Sequence, residues 1–197
     1  MKSFFYILFL FSISFYSCGG GGQPSATESH DQQVEKFNLP DDQRAFLNNL
    51  ASLCGQSFRG GQVYMQPGRD SWADHDMVMH VTVCEDTHVH IPFHLDEDRS
   101  RTWMFLEENG QLRFRHDHRY EDGTPEEQTL YGGYSDGSGT AFLQRFPADD
   151  YTVELLTDTL GREWNVVLDE TLTTFSYRLL YHGEIVFQAD FDLTNPM

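Results

Sequence analysis

From residue 57 almost to its end the sequence keeps a two-residue hydrophobic period, broken only by short polar connections such as 121–127, 135–139 and 182–183. Period two marks strands whose alternate side chains face opposite sides of a sheet. The segments that carry it are 57–65, 77–84, 87–95, 101–107, 111–118, 127–134, 140–147, 163–169, 173–182 and 184–193, with 151–156 left open. Connections this short cannot supply the long crossovers that parallel strands require. The chain is therefore expected to be all-β, an antiparallel up-and-down meander of about ten strands, closed as a barrel or split into a sandwich. One helix precedes the strands. Pro40 and two acids open the run DDQRAFLNNLASLCG, Phe46, Leu47, Leu50 and Leu53 recur at helical spacing, and Gly55 stops it. A helix there can plug one end of a closed sheet, which favours the barrel.

Asn109-Gly110 separates two strand-forming runs, and it is the strongest short signal for a hairpin because both turn positions take positive φ. A two-residue loop sets Glu108 opposite Gln111. Phe105 then faces Phe114, Trp103 faces His116 and Arg101 faces His118, all on one side of the sheet. The other side carries Thr102, Met104 and Leu106 with Arg113, Arg115 and Asp117. The aromatic side is expected to face inward, which would place Arg101, His116 and His118 at the end of an aromatic interior. On the hairpin expected around Glu85-Asp86, His88, His90 and His94 fall on the face opposite Val89, Ile91 and Phe93, and His80 is expected inward beside Ile91.

The formal charge of −18 repels nucleic acid, so no nucleic-acid partner is expected. Against that background Arg99, Arg101, Arg113, Arg115 and Arg119 crowd into one short stretch. Pairing with nearby carboxylates is the expected role for Arg113, Arg115 and Arg119. Only Arg101 is assigned to a ligand. Cys54 and Cys84 are expected to form a disulfide, because antiparallel pairing of 57–65 with 77–84 brings the end of the second strand beside the start of the first.

Residues 1–17 carry one early Lys, an aromatic apolar core too short for a comfortable membrane span, and a small residue before Cys18, the pattern of a secretory signal. Phe15-Tyr16-Ser17-Cys18 resembles the lipobox of bacterial lipoproteins, with Phe15 where Leu is usual. That resemblance implies a lipid on Cys18 and, with Gly19 rather than Asp following, an outer-membrane address in the cell envelope. Residues 18–37 read as a lipidated cysteine and flexible tether, and 38–197 as one barrel domain, expected as a monomer. The run Leu50-x-x-Leu53-x-Gly55-x-x-Phe58-x-Gly60 resembles the opening of small lipocalin-like (calycin) domains. Across residues 50–193, the stretches MHVTVC, IPFH, DRSRTW, HDHRYEDG, YGG and FPAD resemble an uncharacterised family of bacterial secreted proteins and lipoproteins. That resemblance implies a family and no activity.

The expected function is binding of a small, partly apolar ligand, with an acidic group on it as one option. The assigned residues are Trp103, Phe105 and Phe114 for contact, Arg101, His116 and His118 for orientation, and His80. No cofactor and no catalytic residue is assigned. The competing class is a metal-dependent enzyme with zinc or iron on His116 and His118, since alternate strand residues point the same way and each His-x-His pair offers two imidazoles to one ion. Ser71, Ser100 and Ser138 lack a nucleophile-elbow setting. Asp96, Glu97 and Asp98 are read as a solvated hairpin loop in preference to a calcium site. A structural envelope protein with a filled barrel is the third class.

Overall fold

The computed structural model describes residues 38–157 and 160–197. The expected signal peptide (1–17), Cys18 and the tether (18–37) lie outside the described residues. Helix α1 (Asp41–Ala51) is followed by β1 (Ser57–Met65), β2 (Met77–His80), β3 (Val83–Glu85), β4 (His88–Leu95), β5 (Asp98–Glu108), β6 (Gln111–His118), β7 (Tyr131–Tyr134), β8 (Leu143–Pro147), α2 (Asp150–Leu155), β9 (Arg162–Leu168), β10 (Thr174–Tyr181) and β11 (Glu184–Asp192). The expected strand 77–84 is interrupted at Val81-Thr82, giving β2 and β3, and the open segment 151–156 falls largely within α2. Asp149 starts α2 by accepting the Thr152 N–H at 3.0 Å.

The strands form one antiparallel sheet in the order β7-β6-β5-β4-β2-β1-β11-β10-β9-β8, with β3 paired on β4. This is an up-and-down meander whose first strand returns beside its last. The two ends of the ladder almost meet. Asp149 N donates to Gly132 O and Asp136 N to Arg145 O, both at 3.0 Å, so β7 and β8 approach in a single antiparallel register and the sheet is nearly closed as a barrel. The approach depends on the absence of side chains. A Cβ on Gly133 would lie 1.8 Å from the Pro147 carbonyl oxygen across the seam, while one on Gly132 would lie 2.0 Å from that of Phe114 on the β6 side. Thr152 Oγ1 donates to Gly132 O at 2.8 Å and accepts from Gly132 N at 2.7 Å, tying α2 across the seam.

The β5–β6 register matches the Asn109-Gly110 expectation, with Arg101 opposite His118, Trp103 opposite His116 and Phe105 opposite Phe114. Both turn residues have positive φ, 54° and 75°. Helix α1 lies over the end of the barrel that holds this turn. Gln43 accepts the Leu112 N–H at 2.7 Å, Asn49 donates to Ala141 O at 2.8 Å, Arg44 pairs with Glu107, and Phe46 packs on Phe105. That end is filled: Phe46, Leu47, Leu50, Phe105, Phe114 and Phe146 are buried. Cys54 and Cys84 are joined by a disulfide, Cα to Cα 6.1 Å, next to the β2–β3 break.

Candidate functional site

With α1 closing one end, open space remains towards the other, where a cavity of about 310 Å³ lies inside the sheet. Its deep surface is made by Trp103, Trp164, Phe93 and His116, all buried. Arg69, Arg101, Arg162 and Tyr181 border it where exposure is greater. The inner side chains come from strands all round the barrel, among them Phe93 on β4, Arg101 and Trp103 on β5, His116 on β6, Tyr131 on β7, Arg162 and Trp164 on β9, Tyr177 and Leu179 on β10, and Phe187 and Ala189 on β11. Trp103 lies between Phe93 and Tyr177 in a parallel stack, with centroids 4.8 and 4.9 Å away and planes within 10°.

The polar floor is internally satisfied. His116 Nδ1 is 3.2 Å from the Tyr131 carbonyl, and its Nε2 is 2.9 Å from the Tyr177 hydroxyl. A carbonyl only accepts, so Nδ1 carries the proton and Nε2 accepts from Tyr177. Burial pushes the His116 pKa from 6.5 down to about 3, with the neighbouring His118 and Arg162 acting in the same direction and the Tyr131 carbonyl opposing. His118 Nε2 meets the Tyr131 hydroxyl at 3.0 Å, and burial, followed by Arg101, lowers its pKa. Burial raises Tyr131 to about 12 and Tyr177 well above its usual value. The floor is therefore neutral near pH 7, and both His116 nitrogens are engaged in hydrogen bonds. Among the described residues no group of three or more His, Cys, Asp and Glu side chains is arranged to hold a metal ion.

The charged border differs. Arg101 pairs with Asp98 at 2.6 Å and lies over Trp72. Arg162 is half-buried, donates through Nε and one terminal nitrogen to the Tyr181 hydroxyl, and lies near the faces of Tyr181 and Trp164. Among the described residues it makes no ion pair. Arg69 meets Gln66 at 3.2 Å and the Tyr181 ring at 5.0 Å.

Arg101, Trp103 and His116 line this cavity, and His118 stands one hydrogen bond behind it. Phe105 and Phe114 do not. They are fully buried in the filled end beneath α1, so their contact role is corrected to core packing. His80 is also corrected: it lies outside, bonded to Ser57 and His94, because Met77 and Met79 occupy the inner face of β2. The turn joining β3 and β4 is Asp86-Thr87, since Glu85 pairs with His88. Arg113 and Arg115 face out and pair with Asp149, Arg113 also with Glu108, while Arg119 pairs with Asp117. Arg162, Trp164, Tyr131 and Tyr177 escaped sequence reasoning. Their alternation was visible, but nothing in the chain marked which distant strands would face β5 and β6. The chain matches no family model, no curated protein and no solved structure.

Proposed function

We propose that this protein is a lipid-anchored envelope protein whose barrel binds a small, partly apolar anion, with a carboxylate as the probe of choice. The observation that carries the reading is Arg162. It is a half-buried guanidinium beside an aromatic cavity, without an ion-pair partner among the described residues, in a chain of net charge −18. An arginine kept there is stabilised when an anion enters, and its planar fork suits a carboxylate. The Tyr131 hydroxyl is bonded to His118, the Tyr177 hydroxyl to His116, and the other His116 nitrogen to the Tyr131 carbonyl, so recognition of a polar group falls to Arg162, Arg101 and Arg69. The volume suits roughly ten to fifteen non-hydrogen atoms. The anchoring half of the proposal rests on the leader and Cys18.

Tryptophan fluorescence tests the binding half, because Trp72, Trp103 and Trp164 surround or line the cavity. Decanoate and indole-3-acetate are titrated beside decanol and indole. The expected result is saturable binding of the acids, at least about tenfold tighter than of their neutral counterparts, a preference that Arg162→Met removes. Equal binding of acid and neutral probe, or a preference intact in Arg162→Met, would overturn the assignment of charge recognition to this arginine.

A further inference from the structure

A second group of side chains, on the outer wall, is unrelated to the cavity. β2 pairs with β4 so that Val78 stands opposite His94, which places His80 two residues along the same outer face and diagonally across from it. His80 Nε2 lies 2.9 Å from His94 Nδ1, and His80 Nδ1 lies 2.7 Å from Ser57 Oγ on β1. The pair borders a surface cleft of about 370 Å³ where β2 gives way to β3, with Gln56, Thr82 and Pro92 on its other sides.

Two imidazole nitrogens at this separation need something between them. When Ser57 donates to His80 Nδ1, the His80 Nε2 proton bridges to His94. When His80 instead donates Nδ1–H to the Ser57 oxygen, its Nε2 accepts from His94 Nδ1–H; with the His94 proton on Nε2 two lone pairs converge, and a cation replaces the bridging proton. Two nitrogens bound to one tetrahedral ion at about 2.05 Å stand about 3.3 Å apart, so the rings need to open by only a few tenths of an ångström. A ligating histidine is usually held by a partner that accepts its other ring N–H, and the Ser57 oxygen takes that place here.

We propose that His80 and His94 form a binding site for a borderline divalent transition-metal ion on the outer wall, with Ser57 as a positioning residue and water in the cleft completing the coordination. Only two protein ligands are present, so the affinity is moderate and follows ligand chemistry, with Cu2+ bound more tightly than Zn2+. The charges acting on the pair are Arg99, which meets Glu97 at 3.9 Å, and, on His94, Asp98. His88 and His90, also outward on β4, have rings 5.1 Å apart but no hydrogen bond between them, and they serve as an internal control.

The test is titration of untagged, disulfide-intact protein with Cu2+ alone, followed by calorimetry and by electron paramagnetic resonance. The expected result is one equivalent at micromolar affinity with two nitrogens in the coordination sphere. His80→Gln and His94→Gln should each weaken it at least tenfold, Ser57→Ala should weaken it several-fold, and His88→Gln should leave it unchanged. Wild-type protein should also gain melting temperature with Cu2+, a gain that His94→Gln loses. Retained affinity in both His80→Gln and His94→Gln would overturn the proposal, as would loss in His88→Gln alone or no wild-type binding below about 100 μM. A merely structural pair would lower the melting temperature of His94→Gln without any metal-dependent rise in wild type, which also overturns it.

Discussion

Lowering the pH should destabilise the barrel through His116 in a way that one substitution isolates. The imidazole titrates near 6.5 when free and at about 3 in the fold, because its protonated form would be a buried cation with its acceptor position already used. The folded pKa is depressed, so the stability of the neutral form is complete above 6.5 and is lost as pH falls from there toward 3. At pH 5 the unfolded imidazole is almost entirely protonated and the folded one is not. The penalty is RT ln[(1 + 10^1.5)/(1 + 10^−2)], about 2 kcal/mol, against almost nothing at pH 7.5.

Other histidines are lowered as well, among them His80, His90, His94 and His118, so the slope for wild type alone does not isolate His116. The comparison is with His116→Gln, whose amide can still donate to the Tyr131 carbonyl and accept from Tyr177. Urea unfolding at pH 7.5 and 5.0 should show wild type losing about 2 kcal/mol more than the variant over that interval. Imidazole carbon shifts should show one ring that does not titrate above pH 4. Equal losses in the two proteins, with every ring titrating near 6.5, would refute the buried, oriented network.

Asp149→Ala should cost about 3–5 kcal/mol in urea unfolding, since it leaves the buried Arg115 guanidinium without its carboxylate and removes the α2 cap. Asp149→Asn should recover only the cap, about 1 kcal/mol. Gly133→Ala should destabilise by more than about 3 kcal/mol or prevent folding, measured by thermal melting, because the β7–β8 seam has no room for a methyl group. Reducing Cys54–Cys84, separated by 30 residues, should lower unfolding free energy by about 3–4 kcal/mol, read from paired denaturation curves with and without reductant. Cys18→Ser should shift the protein from the detergent to the aqueous phase on phase partition; unchanged partition would remove the lipid anchor.

What the sequence disclosed follows how locally each feature is encoded. The β5–β6 register was legible residue by residue because two turn positions demanded positive φ and the strands on either side had one possible pairing. The meander followed from connections too short for any other topology. His80 was misplaced because Met77, Met79 and Val81 compete with Val78 and His80 for the inside, and only pairing with both β1 and β4 decides between them. Phe105 and Phe114 share a face with Trp103 and His116, so alternation could not separate them. The division comes from α1, which fills the end that holds the Asn109-Gly110 turn and leaves the other end open.

The arginines show why nearness along a strand misleads about a site. Arg113 and Arg115 lie between Leu112, Phe114 and His116, and period two sends them to the wall opposite the cavity. There they meet Asp149 at the base of α2, the same residue whose N–H closes the seam against Gly132. Their ion pairs bridge the seam between the two ends of the sheet. The cations that border the cavity come from far apart instead: Arg69 after β1, Arg101 on β5 and Arg162 on β9. The floor is neutral and its donors are engaged, so on the proposed reading these three are the groups left to distinguish an anion from a neutral molecule of the same shape. On that reading selectivity resides at the mouth and affinity in the aromatic depth. Variants at Arg162 and at Trp103 should accordingly separate the two: the first changes which probe is preferred, and the second changes how tightly every probe is held.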